Sequence, residues 1–171
     1  YFTVGDAGLA RRALDAVREA FDVAITFDKP EVHKDAVKPK KIVFVTGATG
    51  KMGQETMKQL LARSSRFKVR ILARASAKNK ALLKKYMCPA LEIVWGDMAD
   101  YDTILKCVTG ASYVLHIGAM VSPMADDYPE DTLKTNIGST LNIIKAIKAQ
   151  PDPDAVHFAY VATVAMTGQR L

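Results

Sequence analysis

Apolar and polar positions alternate in blocks along residues 41–171, and the blocks predict five strands separated by helices. Fully apolar runs such as 42–45 are typical of strands buried on both faces of a parallel sheet. The predicted strands lie at 42–45, 68–73, 91–95, 112–117 and 156–162. Helical spacing predicts helices over 52–62, 77–87, 101–108 and 132–150. The apolar stripe of the longest predicted helix consists of Leu133, Ile137, Leu141, Ile144 and Ile147.

This alternation of strands and helices predicts an α/β fold, with a parallel sheet covered by helices on both faces. Crossovers between parallel strands are right-handed, so we expect a doubly wound sheet of the Rossmann type with strand order 3-2-1-4-5. The domain is expected to occupy 41–171 and to be truncated after its fifth strand.

Residues 1–40 follow a different pattern. The segment 1–27 is amphipathic and predicts an N-terminal helical appendage, which must pack on another surface because it cannot bury a core alone. Prolines and many charges in 28–40 are typical of a linker.

Composition narrows the class of protein. Apolar residues make up 49% and charged residues 25% of the 171 positions, as in ordinary globular domains. No apolar run approaches the roughly 18 residues of a membrane span, and the chain does not start with a secretory signal. Cys88 and Cys107 have neither metal-ligand nor redox spacing, which predicts two reduced thiols in a cytoplasmic protein.

The net charge of +6 is concentrated in 38–41 and 74–85. Such patches attract nucleic acid or a phosphorylated cofactor, but no aromatic residues interleave with them to stack on bases, so we expect no nucleic-acid partner. An acidic cluster lies in 126–131 without the spacing of metal ligands, so no metal is expected.

The segment TGATGKMG, residues 46–53, places three glycines between a predicted strand and a predicted helix. Gly47 permits a tight turn, Gly50 lets a pyrophosphate approach the backbone, and Gly53 lets the helix lie close to the sheet. The helix N-terminus adds N–H groups and positive partial charge. This context predicts a dinucleotide phosphate-binding loop; the alternative is that the glycines serve only the turn and the packing.

The end of the second strand indicates which dinucleotide binds. NAD-binding domains place a carboxylate there for the ribose hydroxyls, whereas this chain has Ala73 followed by Arg74. An arginine pairs with a 2′-phosphate, with further contacts from Lys51, Ser76 and Lys78, so NADP(H) is favoured and NAD(H) is possible. The alternative is that Arg74 is a solvated residue at the strand end.

Five motifs in order resemble the short-chain dehydrogenase/reductase superfamily, in its extended, epimerase- and reductase-like branch. They are TGATGKMG, GDMAD, VLHIGA, TNIGSTLNIIKA and FAYVATVAMTG, and the resemblance covers 41–171. It implies an NAD(P)-binding domain in which Asp97 bonds the adenine and Asn136 is structural. With Arg74, the cofactor-binding residues it implies are Gly47, Thr49, Gly50, Lys51, Met52, Gly53, Asp97, Met98, Ile117, Gly118, Ala119 and Asn136.

The resemblance also implies hydride transfer between a nicotinamide and a small-molecule carbonyl or hydroxyl substrate. In the family a Tyr is the acid/base, a Lys lowers its pKa, and a Ser or Thr, here Thr163, bonds the substrate oxygen. His116 is not used as a base at its position, and we expect a core histidine with satisfied hydrogen bonds.

The Tyr-xxx-Lys pair does not occur in the 171 residues. The chain is therefore expected to bind nucleotide without turnover, and NADPH-dependent reduction by it would contradict this expectation. Two alternatives stay open: a non-catalytic NADP(H)-sensing or interaction module, and a nucleotide-sugar epimerase or dehydratase of the same superfamily. A homo-oligomer is also left open.

Residues 1–27 resemble the end of the flavin- and NAD-dependent module of NADH:flavin oxidoreductases related to old yellow enzyme. The resemblance implies that Asp6 sits near a flavin linker and that the appendage is the tail of a fused flavoprotein module. The alternative is an ordinary helix with a glycine N-cap. No flavin binding is predicted for this chain, because the flavin fold itself is missing.

Overall fold

A computed structural model describes residues 39–162 of the protein. The strands of the sheet are Lys41–Thr46 (β1), Phe67–Ala73 (β2), Leu91–Trp95 (β3), Tyr113–His116 (β4) and His157–Tyr160 (β5). The helices are Lys51–Leu61 (α1), Ala77–Lys84 (α2), Tyr101–Val108 (α3), Met124–Asp127 (α4), Pro129–Leu133 (α5) and Ser139–Lys148 (α6). The predicted appendage 1–27, Asp6 and almost all of the linker 28–40 lie outside the described residues.

The sheet has the order β3-β2-β1-β4-β5, and every neighbouring pair of strands is parallel. This confirms the doubly wound, Rossmann-type α/β fold. The sheet places β1 at its centre, paired with β2 on one side and β4 on the other. Because parallel strands end at the same edge, the residues that follow β1, β2 and β4 meet there.

The main core lies between the sheet and the pair α3 and α6. Its buried members are Phe44, Leu72, Ile104, Cys107, Val108, Ala111, Val114, Ile143 and Ala146. Burial raises the pKa of the Cys107 thiol to about 11, so this cysteine is a core side chain rather than a nucleophile. Both Cys88 and Cys107 are free thiols.

Most predicted elements match the structure to within one or two residues at each end, and β3 and α3 match at both ends. Asp100 is the N-cap of α3, where its side chain accepts from the N–H of Asp102 and the hydroxyl of Thr103. Among the predicted elements that fall within residues 39–162, one differs in kind, the predicted helix over 132–150.

The structure replaces that helix with three segments. The helical path begins earlier, with Pro129 at the first position of α5, where its missing N–H costs nothing. A π-helical stretch, Lys134–Gly138, then separates α5 from α6. The predicted stripe was also wrong in part, because Leu133, Ile137 and Leu141 are more than half exposed. The side chains that α6 buries are Ser139, Ile143 and Ala146.

None of the helices between residues 39 and 162 is long and apolar enough to span a membrane.

Candidate functional site

A cleft of about 400 Å³ opens at the carboxyl edge of the sheet. Twelve of the predicted site residues line it: Gly47, Thr49, Gly50, Lys51, Met52, Gly53, Arg74, Asp97, Met98, Ile117, Gly118 and Ala119. The sequence motifs that carry them are far apart, and the parallel sheet brings their strand ends together. Asn136 does not line the cleft, and Thr163 lies outside the described residues.

The first and third glycines of the loop are required by the fold itself. Gly47 has φ +69°, a left-handed conformation that favours glycine. A Cβ atom on Gly53 would lie 2.1 Å from the carbonyl oxygen of Gly47, so α1 can lie this close to the turn only without a side chain there. These two glycines have the turn and packing roles that their spacing predicts.

The middle glycine is different. Gly50 has φ −75° and ψ 169°, which any residue adopts, and a Cβ atom on it would come no nearer than 3.4 Å to another atom, the oxygen of Gly47. The described protein therefore does not itself require glycine at this position. Gly50 is also the N-cap of α1, and no side chain caps this helix or places an acid in its first turn. The space above Gly50 thus faces N–H groups that keep their donor capacity.

Two backbone segments touch at the floor of the cleft. A Cβ atom on Gly47 would lie 2.6 Å from the Cα atom of Gly118, and one on Gly118 would lie 2.9 Å from the sulfur of Met98. The turn after β1 therefore packs directly on the segment after β4, with the Met98 thioether beside it. Contact this close leaves no room for a side chain at Gly47 or at Gly118.

The end of the cleft at β2 is cationic. Ala73 is buried, Arg74 is exposed, and the guanidinium of Arg74 forms no hydrogen bond or ion pair with residues 39–162. Its backbone is fixed, because the carbonyl of Arg74 accepts from Asn79 Nδ2 at 2.9 Å and from Ser76 N at 2.8 Å. Ser76 caps α2 through the Asn79 N–H. Lys51 lines the same cleft from the glycine loop.

Asp97 follows β3 at the same edge. Its Oδ1 accepts from the Ala99 N–H at 2.8 Å, so the carboxylate caps a turn. The side chain is nonetheless exposed and lines the cleft with Met98. A carboxylate fixed through one oxygen keeps acceptor capacity on the other.

Asn136 acts through its neighbour. Its Oδ1 accepts from the Met120 N–H at 2.7 Å, and its Nδ2 donates to the Met120 carbonyl at 2.9 Å. This pair of bonds fixes the loop after β4 from the π-helical stretch, as expected of a structural Asn. Met120 itself lines the cleft.

Sequence reasoning missed several residues that line the cleft, namely Asn79, Met120, Val121 and Thr135. The loop after β4 carries no motif beyond Ala119, so nothing in its sequence indicated which side chains face the site. The capping pattern Ser-x-x-Asn of residues 76–79 was the one available signal for Asn79.

His116 is buried in β4, 2% exposed, and both of its ring nitrogens have partners, as predicted. Nδ1 lies 2.7 Å from the hydroxyl of Thr46, and Nε2 lies 3.0 Å from that of Thr140. Burial lowers the pKa of this imidazole to about 4, so it is neutral near pH 7.

Curated proteins related to this chain include sugar-nucleotide enzymes. A UDP-N-acetylglucosamine 4,6-dehydratase (inverting) of Campylobacter jejuni is 30% identical over 108 residues, which are 63% of this chain and 32% of the relative. A UDP-glucose 4-epimerase of Rickettsia rickettsii is 27% identical over 110 residues, 62% of this chain and 32% of the relative. The chain therefore spans about a third of the length of these relatives.

Among solved structures, the enzyme WbmH of Bordetella bronchiseptica in complex with NAD⁺ superposes with a TM-score of 0.62. It is 26% identical, over 77% of this chain and 42% of that one. The family model of the NAD dependent epimerase/dehydratase family matches residues 43–170, which include β2 to β5, β1 from Val43 onward and every residue that lines the cleft. The chain therefore belongs to the NAD dependent epimerase/dehydratase family.

Proposed function

We propose that this chain is the cofactor-binding portion of an NADP(H)-dependent oxidoreductase that acts on a carbonyl or hydroxyl substrate by hydride transfer. The observation that carries the proposal is the space above Gly50. The fold explains Gly47 and Gly53 through backbone conformation and packing, but it leaves the missing side chain of Gly50 without a role inside the described protein. A ligand that must touch the backbone supplies that role.

The chemistry around Gly50 suits a pyrophosphate. The first turn of α1 presents uncapped N–H groups and contains no acid. Such a terminus attracts anions through both hydrogen bonds and the helix dipole. Lys51 adds a cation at the same loop. Gly47, Thr49, Gly50, Met52 and Gly53 are proposed to surround the diphosphate with it.

The flanking residues suit the rest of a dinucleotide. Asp97 and Met98 are proposed to hold the adenine, through the carboxylate and the thioether respectively. Ile117, Gly118 and Ala119 are proposed to line the path of the dinucleotide toward the nicotinamide, and Asn136 to keep that segment in place through Met120.

The preference for NADP(H) rests on the end of β2. The guanidinium of Arg74 is exposed at the cleft, and no carboxylate occupies the position of Ala73 or Arg74 to accept bonds from both ribose hydroxyls. An arginine forms charge-assisted, bidentate bonds to a phosphate, whereas a ribose hydroxyl offers it much less. The 2′-phosphate of NADP(H) is therefore the better partner for this end of the cleft.

The nicotinamide supplies the hydride when it is bound. Thr163 is proposed to hydrogen-bond the substrate oxygen, on the strength of the motif that follows the fifth strand. Binding rather than turnover is the measurement suited to this chain, which does not contain a Tyr-xxx-Lys.

The test is calorimetric titration of the purified chain with NADP⁺, NADPH, NAD⁺ and NADH. We expect all four to bind, with NADP⁺ and NADPH, which carry the 2′-phosphate, binding more tightly than NAD⁺ and NADH. Gly50→Val should abolish binding while circular dichroism shows that the chain remains folded. Lys84→Ala, at an exposed position of α2 that does not line the cleft, is the control for charge. Equal affinity for NADP⁺ and NAD⁺ would overturn the cofactor preference, and unchanged binding by Gly50→Val would overturn the site.

A second candidate is supported by the relatives, which are named as an epimerase and a dehydratase of UDP-sugars. In this alternative the substrate is a nucleotide-linked sugar, and the hydride step is transient. Titrating UDP-glucose into the chain already loaded with NADP⁺ separates the two. Measurable heat of binding favours the nucleotide sugar.

A further inference from the structure

The hydrogen bonds around His116 have a direction that the heavy-atom positions define. Thr46 Oγ1 accepts from the N–H of Ile117 at 3.1 Å and from the N–H of Gly118 at 3.0 Å. A hydroxyl has two acceptor sites and one proton. Both acceptor sites are therefore filled, and the remaining proton of Thr46 points to His116 Nδ1, 2.7 Å away.

The direction of the hydrogen bond at Nε2, on the other side of the ring, is fixed in the same way. The hydroxyl of Thr140 donates to the carbonyl oxygen of Asn136 at 2.7 Å. Its oxygen is then free to accept, and its neighbour at 3.0 Å is His116 Nε2. Every bond is made when Nε2 carries the proton and Nδ1 is bare. Any proton on Nδ1 would face the Thr46 proton and break the arrangement.

We propose that His116, as the neutral Nε2–H tautomer, is the positioning residue of the cofactor cleft, because it joins the ends of β1 and β4 to the helical segment that carries Asn136. This proposal rests on the proposed function for the identity of the ligand. The hydrogen bonds themselves do not depend on the proposed function. They run in one direction, from the Ile117 and Gly118 N–H groups through Thr46 and His116 to Thr140.

One end of this series of hydrogen bonds lies in the lining of the cleft, and the other end reaches the lining through Met120. Ile117 and Gly118 line the cleft, and their backbone N–H groups are the first donors of this series of hydrogen bonds. The last acceptor is Asn136, whose side chain fixes Met120. Without the imidazole, the Thr46 proton loses its acceptor at Nδ1, and the hydrogen-bonded path from Ile117 and Gly118 to Thr140 is broken.

The groups around the ring agree with a neutral imidazole. The described elements that contact His116 are β1 through Thr46, α6 through Thr140 and β5 through Tyr160, whose ring lies 5.6 Å away between centroids. None of these three side chains is a carboxylate, the group that would pair with a charged imidazole. None of them stabilises an imidazolium.

The tautomer is measured directly by long-range ¹H–¹⁵N correlation spectroscopy of the ¹⁵N-labelled, ligand-free chain at pH 7. We expect the pattern of a neutral ring protonated at Nε2. A ring protonated at Nδ1, or a charged ring, would overturn the proposal whatever the protein binds.

The positioning role is measured with His116→Phe and His116→Asn. His116→Phe removes both hydrogen bonds of the ring. His116→Asn places an amide oxygen near the position of Nδ1, where it can still accept from the Thr46 hydroxyl. We expect about tenfold weaker NADP⁺ binding for His116→Phe, as for a lost buried hydrogen bond, and partial rescue by His116→Asn. Ile104→Val is the control, since it loosens the buried core without touching the chain of hydrogen bonds.

Unchanged NADP⁺ affinity in His116→Phe would contradict the role. Should that variant fail to fold, Thr140→Val takes its place: it removes the acceptor for Nε2–H, weaker binding is expected, and unchanged affinity overturns the proposal. Should the wild-type chain bind no dinucleotide, the proposed function fails. Amide exchange then decides the positioning role, with faster exchange at Ile117 and Gly118 expected in the variant and unchanged exchange overturning it.

Discussion

A Cβ atom on Gly53 would lie 2.1 Å from the carbonyl oxygen of Gly47, whereas the same atom on Gly50 would meet nothing nearer than 3.4 Å. The two glycines stand three residues apart in one loop, yet only Gly53 is needed to close the fold. Substitution at Gly53 therefore tests stability, and substitution at Gly50 tests ligand binding.

Gly53→Ala is expected to destabilise the protein by about 2 kcal/mol or more, because the added methyl meets backbone that cannot move aside. Gly50→Ala is expected to change the free energy of unfolding by less than about 1 kcal/mol and to weaken NADP⁺ binding at least about tenfold. Urea denaturation and calorimetry measure the two effects. A Gly50→Ala chain that binds as the wild type does would contradict a ligand over this residue.

Arg74→Ala is expected to weaken NADP⁺ binding by about 10- to 100-fold, the usual range for a charge-assisted bond to phosphate, and to leave NAD⁺ binding almost unchanged. Calorimetry with both dinucleotides gives the ratio. Lys84→Ala removes a positive charge from α2, the helix that follows Arg74, but Lys84 does not line the cleft. This variant should alter neither affinity. An equal loss for both dinucleotides would show that Arg74 acts on the shared part of the cofactor.

Stability should fall in acid through His116. Burial lowers the pKa of this imidazole in the folded protein to about 4, whereas in the unfolded chain it titrates near 6.5. As the pH falls through this window, the unfolded state binds a proton that the folded state does not, which costs up to about 3 kcal/mol. Urea denaturation at successive pH values measures the slope. His116→Phe should lose this part of it, and an identical slope in the variant would contradict the assignment.

Asn136→Asp tests the clamp on Met120. The aspartate can still accept from the Met120 N–H, but it places an oxygen against the Met120 carbonyl where Nδ2 donated. We expect a loss of about 1–3 kcal/mol in stability and weaker dinucleotide binding. Gln150→Glu is the matched control: it also replaces an amide that donates to a backbone carbonyl, that of Ala146, at the far end of α6. Dinucleotide binding should be unaffected there.

The strands were predictable because each one is short, apolar and bounded by turn residues. The run LEIVW matches β3 at both ends, because Pro89 lies just before it and Gly96 follows it directly. The order of the sheet followed from alternation and handedness alone. The glycine loop was equally predictable, because its residues are contiguous.

The path of the helical segment after β4 was not predictable from the sequence. Its apolar residues form two stripes, and the sequence does not show which of them faces the sheet. The π-helical stretch at Lys134–Gly138 adds a residue to one turn, so the stripe of Leu133 and Ile137 faces outward while Ile143 and Ala146 are buried. The bonds of Asn136 to Met120 and of His116 to Thr140 were also out of reach, since each depends on the path of this helical segment.

The contact between Gly47 and Gly118 links two positions that are 71 residues apart in the chain. A side chain on either would push apart the ends of β1 and β4 and with them the floor of the cleft. Replacing one glycine therefore cannot be offset by replacing the other, because both faces of the contact are backbone. The separation of these two strand ends, and with it the depth at which a ligand can enter between them, is therefore set by backbone atoms alone.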